Sequence, residues 1–235
     1  MVRVGIIQSS FIPWRGYFDF INSVDIFVFY DDIQYTKGDW RNRNRIKTEQ
    51  GSKWLTVPVC YERLSKLICD TVIDDTQDWR KIHMQQWLAS YANAPYFDDV
   101  INLLGAMGRH EDLTISQLNI RLIKVICDYL DIDTPLLLSS ELNVQGVKTP
   151  RLINLLQALG ATTYLSGPSA DNYLEKQLFY QAGIRLEYKS YDYEPYPQLW
   201  GAFDNALTIL DLIANCGADA KNRIASRSAN SIVVA

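Results

Sequence analysis

Histidine and cysteine are scarce in this sequence of 235 residues, which holds two histidines and four cysteines. No two cysteines stand in Cys-x-x-Cys spacing, so the pattern of a zinc site is missing. We therefore assign no metal ligands. Thiols scattered in this way are typically reduced and buried, which predicts a cytoplasmic protein rather than a disulfide-bonded scaffold.

Long apolar runs and glycine-rich nucleotide motifs are also lacking. No stretch approaches the roughly 18 apolar residues of a membrane span, and the first ten residues lack the features of a signal peptide. We predict no membrane insertion. A net charge of −4 also disfavours nucleic acid as a partner. There is no G-x-G-x-x-G, no P-loop and no G-x-S-x-G elbow, so the sequence identifies no cofactor.

The chain instead alternates short β-rich apolar runs with helical periodicity. Strands are predicted at residues 2–7, 26–30, 54–59, 67–73, 135–138, 162–165 and 184–189. Helices are predicted at 79–93 after an Asp78 cap, at 95–108 and 112–130, from Thr149-Pro150 to 159, at 171–182 and at 207–215. The end of the chain, from about 218, is predicted to be weakly ordered. This alternation predicts an α/β fold with a mostly parallel sheet flanked by helices and a helical segment in the middle of the chain. We expect one domain over residues 1–235, with 95–130 as a helical insertion or subdomain.

The first thirty residues have the shape of a βαβ unit with parallel strands. Ligands bind off the carboxyl ends of such strands. The first strand leads to Gln8 and the second to Asp31 and Asp32, so we expect all three to face one crevice. Trp14 and Tyr17 lie in the connection, where they either stack on a base or sugar or simply pack the helix onto the sheet.

A cluster of positive charge follows. From Lys37 to Lys53 six basic residues stand against two acidic ones, a local charge of +4 that leaves −8 for the rest of the chain. Arg41, Arg43 and Arg45 occupy every second position, which in an extended strand aligns them about 7 Å apart on one face. Their donor forks suit phosphate or carboxylate groups. We predict a substrate-binding site here; the alternative is a solvated loop whose arginines pair with nearby carboxylates.

Catalysis is assigned to His83 and Asp31. Trp79 and Trp87 would flank His83 on its helix, a partly apolar setting that can bring the pKa into a useful range; the alternative is a structural histidine. The adjacent carboxylates of Asp31 and Asp32 suit a divalent metal beside a phosphate, or a turn in which one carboxylate pairs with an arginine.

The remaining polar candidates carry weaker signals. Asp32, Gln34 and Trp40 complete the predicted substrate contacts. A Ser-Gly-Pro-Ser segment at residues 166–169, between a strand and a helix, is a candidate for binding an anion through backbone N–H groups. His110, in a Gly-Arg-His-Glu-Asp turn, is predicted to be solvated.

These residues give the chain a resemblance to the WbqC-like family. The resemblance is carried by Gln8, by Pro-Trp-Arg-Gly-Tyr-Phe at 13–18, by 25–28 and 31–35, by Trp-Arg-Asn-Arg-Asn-Arg-Ile at 40–46, by 54–58, by His83 with Tyr91 and 94–97, by 164–167, and by Tyr-Pro-Gln at 196–198 with Phe203, Leu207 and 211–212. It spans nearly the whole chain. One departure is Ser9, where the resemblance leads us to expect proline.

The resemblance implies a bacterial cytoplasmic protein associated with the biosynthesis of O-antigen or other surface polysaccharides. A sugar nucleotide would offer a diphosphate to the arginines and rings to Trp14 or Tyr17. The working hypothesis is therefore an enzyme that modifies an amino-sugar nucleotide by acyl or aminoacyl transfer, with a carrier protein or partner enzyme as a further partner.

Two alternatives stay open. One is a nucleotidylyltransferase-like enzyme, although Trp14 and Tyr17 stand where such enzymes carry histidines. The other is a non-enzymatic binding or scaffold protein that exposes aromatic residues of the segment 191–200.

Overall fold

The computed structural model describes residues 1–60, 66–108 and 113–235; His110 lies outside these ranges. Eight strands are present within them: β1 (Arg3–Ile7), β2 (Ile26–Phe29), β3 (Arg43–Thr48), β4 (Gly51–Thr56), β5 (Leu136–Leu138), β6 (Thr163–Ser166), β7 (Arg185–Tyr188) and β8 (Ser231–Val234). Seven α-helices accompany them: α1 (Arg15–Asn22), α2 (Trp79–Tyr91), α3 (Phe97–Leu104), α4 (Ile115–Tyr129), α5 (Lys148–Ala158), α6 (Lys176–Ala182) and α7 (Ile209–Cys216). None of the described helices is both long and apolar enough to cross a bilayer.

Six of these strands form one sheet in the order β5-β2-β1-β6-β7-β8. The first five run parallel and β8 pairs antiparallel with β7. The prediction of an α/β fold with a mostly parallel sheet, flanking helices and a helical segment in mid-chain is confirmed. Numbered along the chain, the five parallel strands have the spatial order 3-2-1-4-5, which is that of doubly wound nucleotide-binding folds.

Apolar side chains of the sheet alternate between two cores. In β2, Phe27 and Phe29 face a core that also holds α1 to α4 and α7, while Val28 faces a second core with α5 and α6. This alternation follows from the two-residue period of a strand. Gly5 in β1 permits close packing, because an added Cβ there would lie 2.3 Å from the Phe20 ring of α1.

The long connection between β2 and β5 contributes much of the first core. It contains the antiparallel hairpin β3–β4 and helices α2 to α4. Asp78 caps α2 as predicted, since its carboxylate accepts a hydrogen bond from the backbone N–H of Lys81 at 3.2 Å. The strand predicted at 67–73 is wrong: this segment makes only isolated bridges, at Leu67, Val72 and Ile73.

Two further predictions differ from the structure. Helix α5 begins at Lys148 with Val147 as its N-cap, so Thr149 lies inside the helix. The end of the chain is ordered rather than loose, because a 3-10 helix covers Gly217–Arg223 and β8 extends the sheet. The Ser226 N–H also donates to the buried Asp19 carboxylate at 3.1 Å, which ties this segment to α1.

Candidate functional site

A cavity of about 520 Å³ opens at the carboxyl ends of β1 and β6. These are the first and fourth parallel strands, so the cavity lies at the point where the strand order reverses, the place where open α/β sheets bind ligands. Gln8 extends from β1 into the lining, and Ser166 ends β6 beside it. The Ser-Gly-Pro-Ser segment predicted as an anion site also lines the cavity, through residues 166–169.

Aromatic rings form much of the cavity wall. Trp14 and Tyr191 meet with ring centroids 5.1 Å apart, and both line the cavity with Tyr17. The indole of Trp14 lies across the start of α1, which requires glycine at position 16: an added Cβ would be 2.4 Å from Trp14 Cζ2. The Tyr17 hydroxyl donates to the Gln8 carbonyl at 3.0 Å. This wall presents rings suited to stacking on a planar or sugar ring.

Arg41 is the single charged residue in the lining formed by described residues. Its side chain is 11% exposed; Nη1 donates to the Ser9 carbonyl at 3.1 Å and Nε lies 3.7 Å from the Asp39 carboxylate. Burial lowers the pKa of this guanidinium, although an arginine stays charged in a protein. Because its one contact with a carboxylate is long, this buried cation would be stabilised by an anion that enters the cavity.

Buried asparagine side chains hold the loop that leaves β1. The Asn44 amide donates to the carbonyls of Phe11 and Ile12 at 3.1 and 2.7 Å, and the Asn119 amide donates to the Arg41 carbonyl at 2.7 Å. Ile12 has a φ of +40°, a conformation that a β-branched residue adopts only where its surroundings enforce it. The loop that carries Gln8 and Ser10 into the cavity is therefore held in one strained shape.

Arg43 and Arg45 lie outside this lining. They share one face of β3 as predicted, but that face points away from the core: the Arg43 guanidinium lies 4.3 Å from the ring centroid of Trp54, and Arg45 donates to the Ala206 carbonyl at 3.0 Å and lies 3.8 Å from Asp204. Of the three arginines predicted to form a substrate-binding site, only Arg41 therefore lines the cavity. Trp40, like Arg41, does line the cavity.

Asp31 and Asp32 also lie outside the cavity lining. Asp31 is 2% exposed and accepts hydrogen bonds from the Ser140 backbone N–H at 3.1 Å and the Ser140 hydroxyl at 2.7 Å. Asp32 forms an ion pair with Arg151. Burial by itself would raise the pKa of Asp32, but hydrogen bonds from Arg151 and Ser139 outweigh it and the pKa is lowered. In this arrangement the pair joins the ends of β2 and β5 to α5.

Gln34 is exposed and forms a bridge with Leu67 instead of reaching the cavity. Groups of three or more histidine, cysteine or acidic side chains able to hold a metal ion are absent from the described ranges.

His83 is buried behind the loop that leaves β1. Its ring is 3% exposed and contacts Phe11 and Trp79. Nε2 lies 3.0 Å from the Thr56 carbonyl, so it carries the proton, and the buried Nδ1 has no partner among the described atoms. Burial lowers the pKa to about 4, so the ring is neutral at pH 7. Neither Phe11 nor His83 lines the cavity. A catalytic role for His83 stays a prediction.

Several cavity residues carried no clear signal in the sequence. Tyr164 lies on β6, Tyr173 follows the next turn, and Tyr191 comes from the tyrosine-rich loop after β7. In the sequence, Tyr164 belonged to a predicted strand and to the family resemblance, but its approach to Gln8 depends on the pairing of β1 with β6. Asn44 also lines the cavity; its alternation with the arginines places it on the opposite face of the strand but does not link it to a site.

Fold and cavity together define a doubly wound α/β protein with a cavity at its topological switch point. The model of the WbqC-like protein family matches residues 8–223, and the chain belongs to that family. It is 48% identical over 223 residues to "Uncharacterized protein Rv1507c" of Mycobacterium tuberculosis, an alignment that covers 94% of this chain and 96% of that protein. No solved structure matches the chain.

Proposed function

We propose that this protein binds a nucleotide-linked amino sugar in the switch-point cavity and transfers an acyl or aminoacyl group to its amine, in the cytoplasmic biosynthesis of a bacterial surface polysaccharide. The observation that carries the proposal is an aromatic cavity whose single charged lining residue, among those described, is the buried Arg41. The pathway comes from the family resemblance, and the reaction is the working hypothesis drawn from the sequence.

The chemistry of the cavity favours a ligand that combines an anion with rings. Arg41 offers guanidinium donors to a phosphate, and the Ser10, Ser166 and Ser169 side chains add hydroxyl groups to the lining. A volume of about 520 Å³ falls in the range of small-molecule sites, about 300–1,000 Å³. A sugar nucleotide has both the phosphates and the rings that such walls would bind.

Acyl transfer also suits a lining that, in the described part of the chain, holds no carboxylate, histidine, lysine or cysteine. A neutral amine attacks the carbonyl carbon of an activated acyl donor, the bond to the leaving group breaks, and the amine proton passes to the leaving group or to water. A protein accelerates such a step chiefly by orienting the two reactants and by donating hydrogen bonds to the developing oxyanion. The protein would then act by holding the sugar nucleotide beside its donor.

Isothermal titration calorimetry with UDP- and dTDP-linked amino sugars tests the proposal, guided by mass spectrometry of small molecules that copurify with the protein. We expect Arg41→Ala to weaken binding about tenfold or more, because a hydrogen-bonded charge pair is lost. Arg185→Ala is the matched control: Arg185 is exposed at the start of β7, at the opposite end of the parallel strands.

A second variant tests the cavity without removing a buried residue. Ser169 is exposed and lines the cavity, so Ser169→Trp should block entry and abolish binding while the fold is retained. If a folded Ser169→Trp protein binds the sugar nucleotide as tightly as the native protein, the cavity is not the binding site. Absence of binding to any sugar nucleotide, together with capture of a biosynthetic enzyme, would favour the scaffold alternative.

Nucleotidyl transfer is a second candidate, favoured by the 3-2-1-4-5 order of the parallel strands and the strand–loop–helix beside the cavity. In that reaction a sugar phosphate oxygen attacks the α-phosphorus of a nucleoside triphosphate and pyrophosphate leaves. Magnesium-dependent release of pyrophosphate from a sugar 1-phosphate and a nucleoside triphosphate would support it. Acylation of a preformed sugar nucleotide without pyrophosphate release would rule it out in favour of the first proposal.

A further inference from the structure

The outward face of the β3–β4 hairpin carries Arg43, Arg45 and Trp54, and Trp40, which precedes β3, packs against Trp54 beside the cavity. We call these four residues the tryptophan–arginine platform. In the antiparallel register Arg45 lies opposite Trp54, and directly opposed residues share a face. Arg43, two positions away on β3, therefore lies on the same side.

The platform is open to solvent. Trp40 and Trp54 are each 42% exposed, and their ring centroids lie 5.2 Å apart at 44°. The guanidiniums of Arg43 and Arg45 lie 4.3 and 5.8 Å from the centroid of Trp54. Cation–π packing accounts for the arginines, but it leaves a large part of both indoles accessible to a ligand.

The two arginines are not equally engaged. Arg45 donates to the Ala206 carbonyl and contacts Asp204. Arg43 packs against Trp54, and the buried Nε atoms of both arginines lack a hydrogen-bond partner among the described residues. Within the described part of the chain, the platform thus combines exposed rings with a guanidinium, that of Arg43, that forms no ion pair of the kind Arg45 makes with Asp204.

The platform is continuous with the cavity, because Trp40 belongs to both. A molecule in the cavity and a molecule on the platform would lie on adjacent surfaces. Indoles stack on planar rings, and arginines bind phosphates through their donor fork. A nucleotide base that carries a phosphate matches this combination better than a neutral sugar, which would leave the guanidiniums unused.

We propose that the platform binds the base and phosphate of a nucleotide. Such a nucleotide has two sources: the activated acyl donor, or the nucleotide end of the molecule whose sugar lies in the cavity. The choice between these two sources rests on the proposed function. The binding of a nucleotide to the platform is independent of that function.

The direct test is calorimetric titration with AMP, compared with adenosine and with ribose 5-phosphate. We expect AMP to bind more tightly than either part. Loss of one base–aromatic stack is worth about 1–3 kcal/mol, so Trp54→Ala should weaken AMP binding roughly 5- to 150-fold. Trp54→Phe should keep most of the affinity because a ring remains. Arg43→Lys should bind AMP more weakly than the native protein, because lysine lacks the planar fork.

Ser169→Trp separates this site from the cavity. The AMP affinity of this variant should lie within about twofold of that of the native protein. A change of tenfold would correspond to about 1.4 kcal/mol. Equal AMP affinity of native protein and Trp54→Ala, no AMP binding at millimolar concentration, or loss of AMP binding in a folded Ser169→Trp would overturn the proposal. AMP binding with no sugar-nucleotide binding would refute the proposed function alone.

A competition titration identifies the source of the nucleotide. If AMP binds with unchanged affinity to protein saturated with sugar nucleotide, the platform serves a second molecule, which supports the donor. If the sugar nucleotide displaces AMP in the native protein and Trp54→Ala weakens both ligands, the base of the cavity ligand itself occupies the platform. Displacement without any effect of Trp54→Ala would place AMP in the cavity and overturn the proposal.

Discussion

Replacement of His83 by glutamine should remove a pH-dependent contribution to stability. Burial lowers the pKa of His83 from 6.5 to about 4. Between these two pH values the unfolded chain therefore binds a proton at His83 that the folded protein does not bind. The contribution is complete above the unfolded pKa of 6.5 and is lost as the pH falls toward 4. Linkage over this interval gives a loss of about 2 kcal/mol at pH 5 and a limit of about 3 kcal/mol at lower pH.

The assay is urea unfolding of the native protein and His83→Gln at pH 7 and pH 5, followed by circular dichroism. Glutamine retains a side-chain N–H for the Thr56 carbonyl, which His83 contacts through Nε2, but it does not titrate. Every other ionisable group is common to both proteins, so its effect cancels in the difference. We expect the native protein to lose about 2 kcal/mol more than the variant between the two pH values.

A difference between the proteins that stays constant from pH 7 to pH 5 would refute this reasoning. It would mean that His83 keeps an ordinary pKa in the folded protein and that its pocket admits water or a counter-charge. The same result would make His83 a better candidate for general base catalysis near neutral pH, because proton transfer is most effective when the pKa lies near the working pH.

The remaining predictions concern packing around the site. Gly16→Ala should push the Trp14 ring off α1 and weaken binding of the cavity ligand severalfold by calorimetry; unchanged affinity would show that the indole is not a binding wall. Asp31→Ala should lower the free energy of unfolding by about 2–3 kcal/mol in urea, because charged hydrogen bonds from Ser140 are lost; a loss below about 0.5 kcal/mol, the usual surface effect, would contradict their structural role. Asn44→Ala should cost about 1–3 kcal/mol in the same assay, since two buried carbonyls lose their donor; an unchanged transition would mean that water replaces the amide.

The sequence predicted those elements that local patterns determine. The apolar runs of β1 and β2 and the Asp78 cap of α2 follow from strand composition and capping chemistry. The alternation of the arginines also placed Arg43 and Arg45 on one face of β3. The side of the hairpin that faces the core was not predictable, because Asn44 is buried to satisfy carbonyls of a distant loop, and hydropathy treats asparagine as a surface residue.

The cavity could be predicted only in part. Gln8 and the segment at 166–169 were each recognised as strand ends, but nothing local indicates that β1 pairs with β6. Asp31 was predicted to join Gln8 because β1 and β2 are neighbours, which is correct for the strands. The carboxylate nevertheless turns to the Ser139–Ser140 segment after β5, because a buried charge is stable only where donors surround it.

The pairing of β1 with β6 also bears on how the protein is made. Hydrogen bonds between Val2 and Thr162 join residues 160 positions apart. At about 5–20 residues per second, a ribosome needs roughly 10–30 s to synthesise the chain between them. During this time β1 of the opening βαβ unit has one edge without its β6 partner. The part of the cavity wall that β6 contributes forms only after β6 has been synthesised. A chaperone that shields this exposed edge during translation would act on the same strand that later positions Gln8.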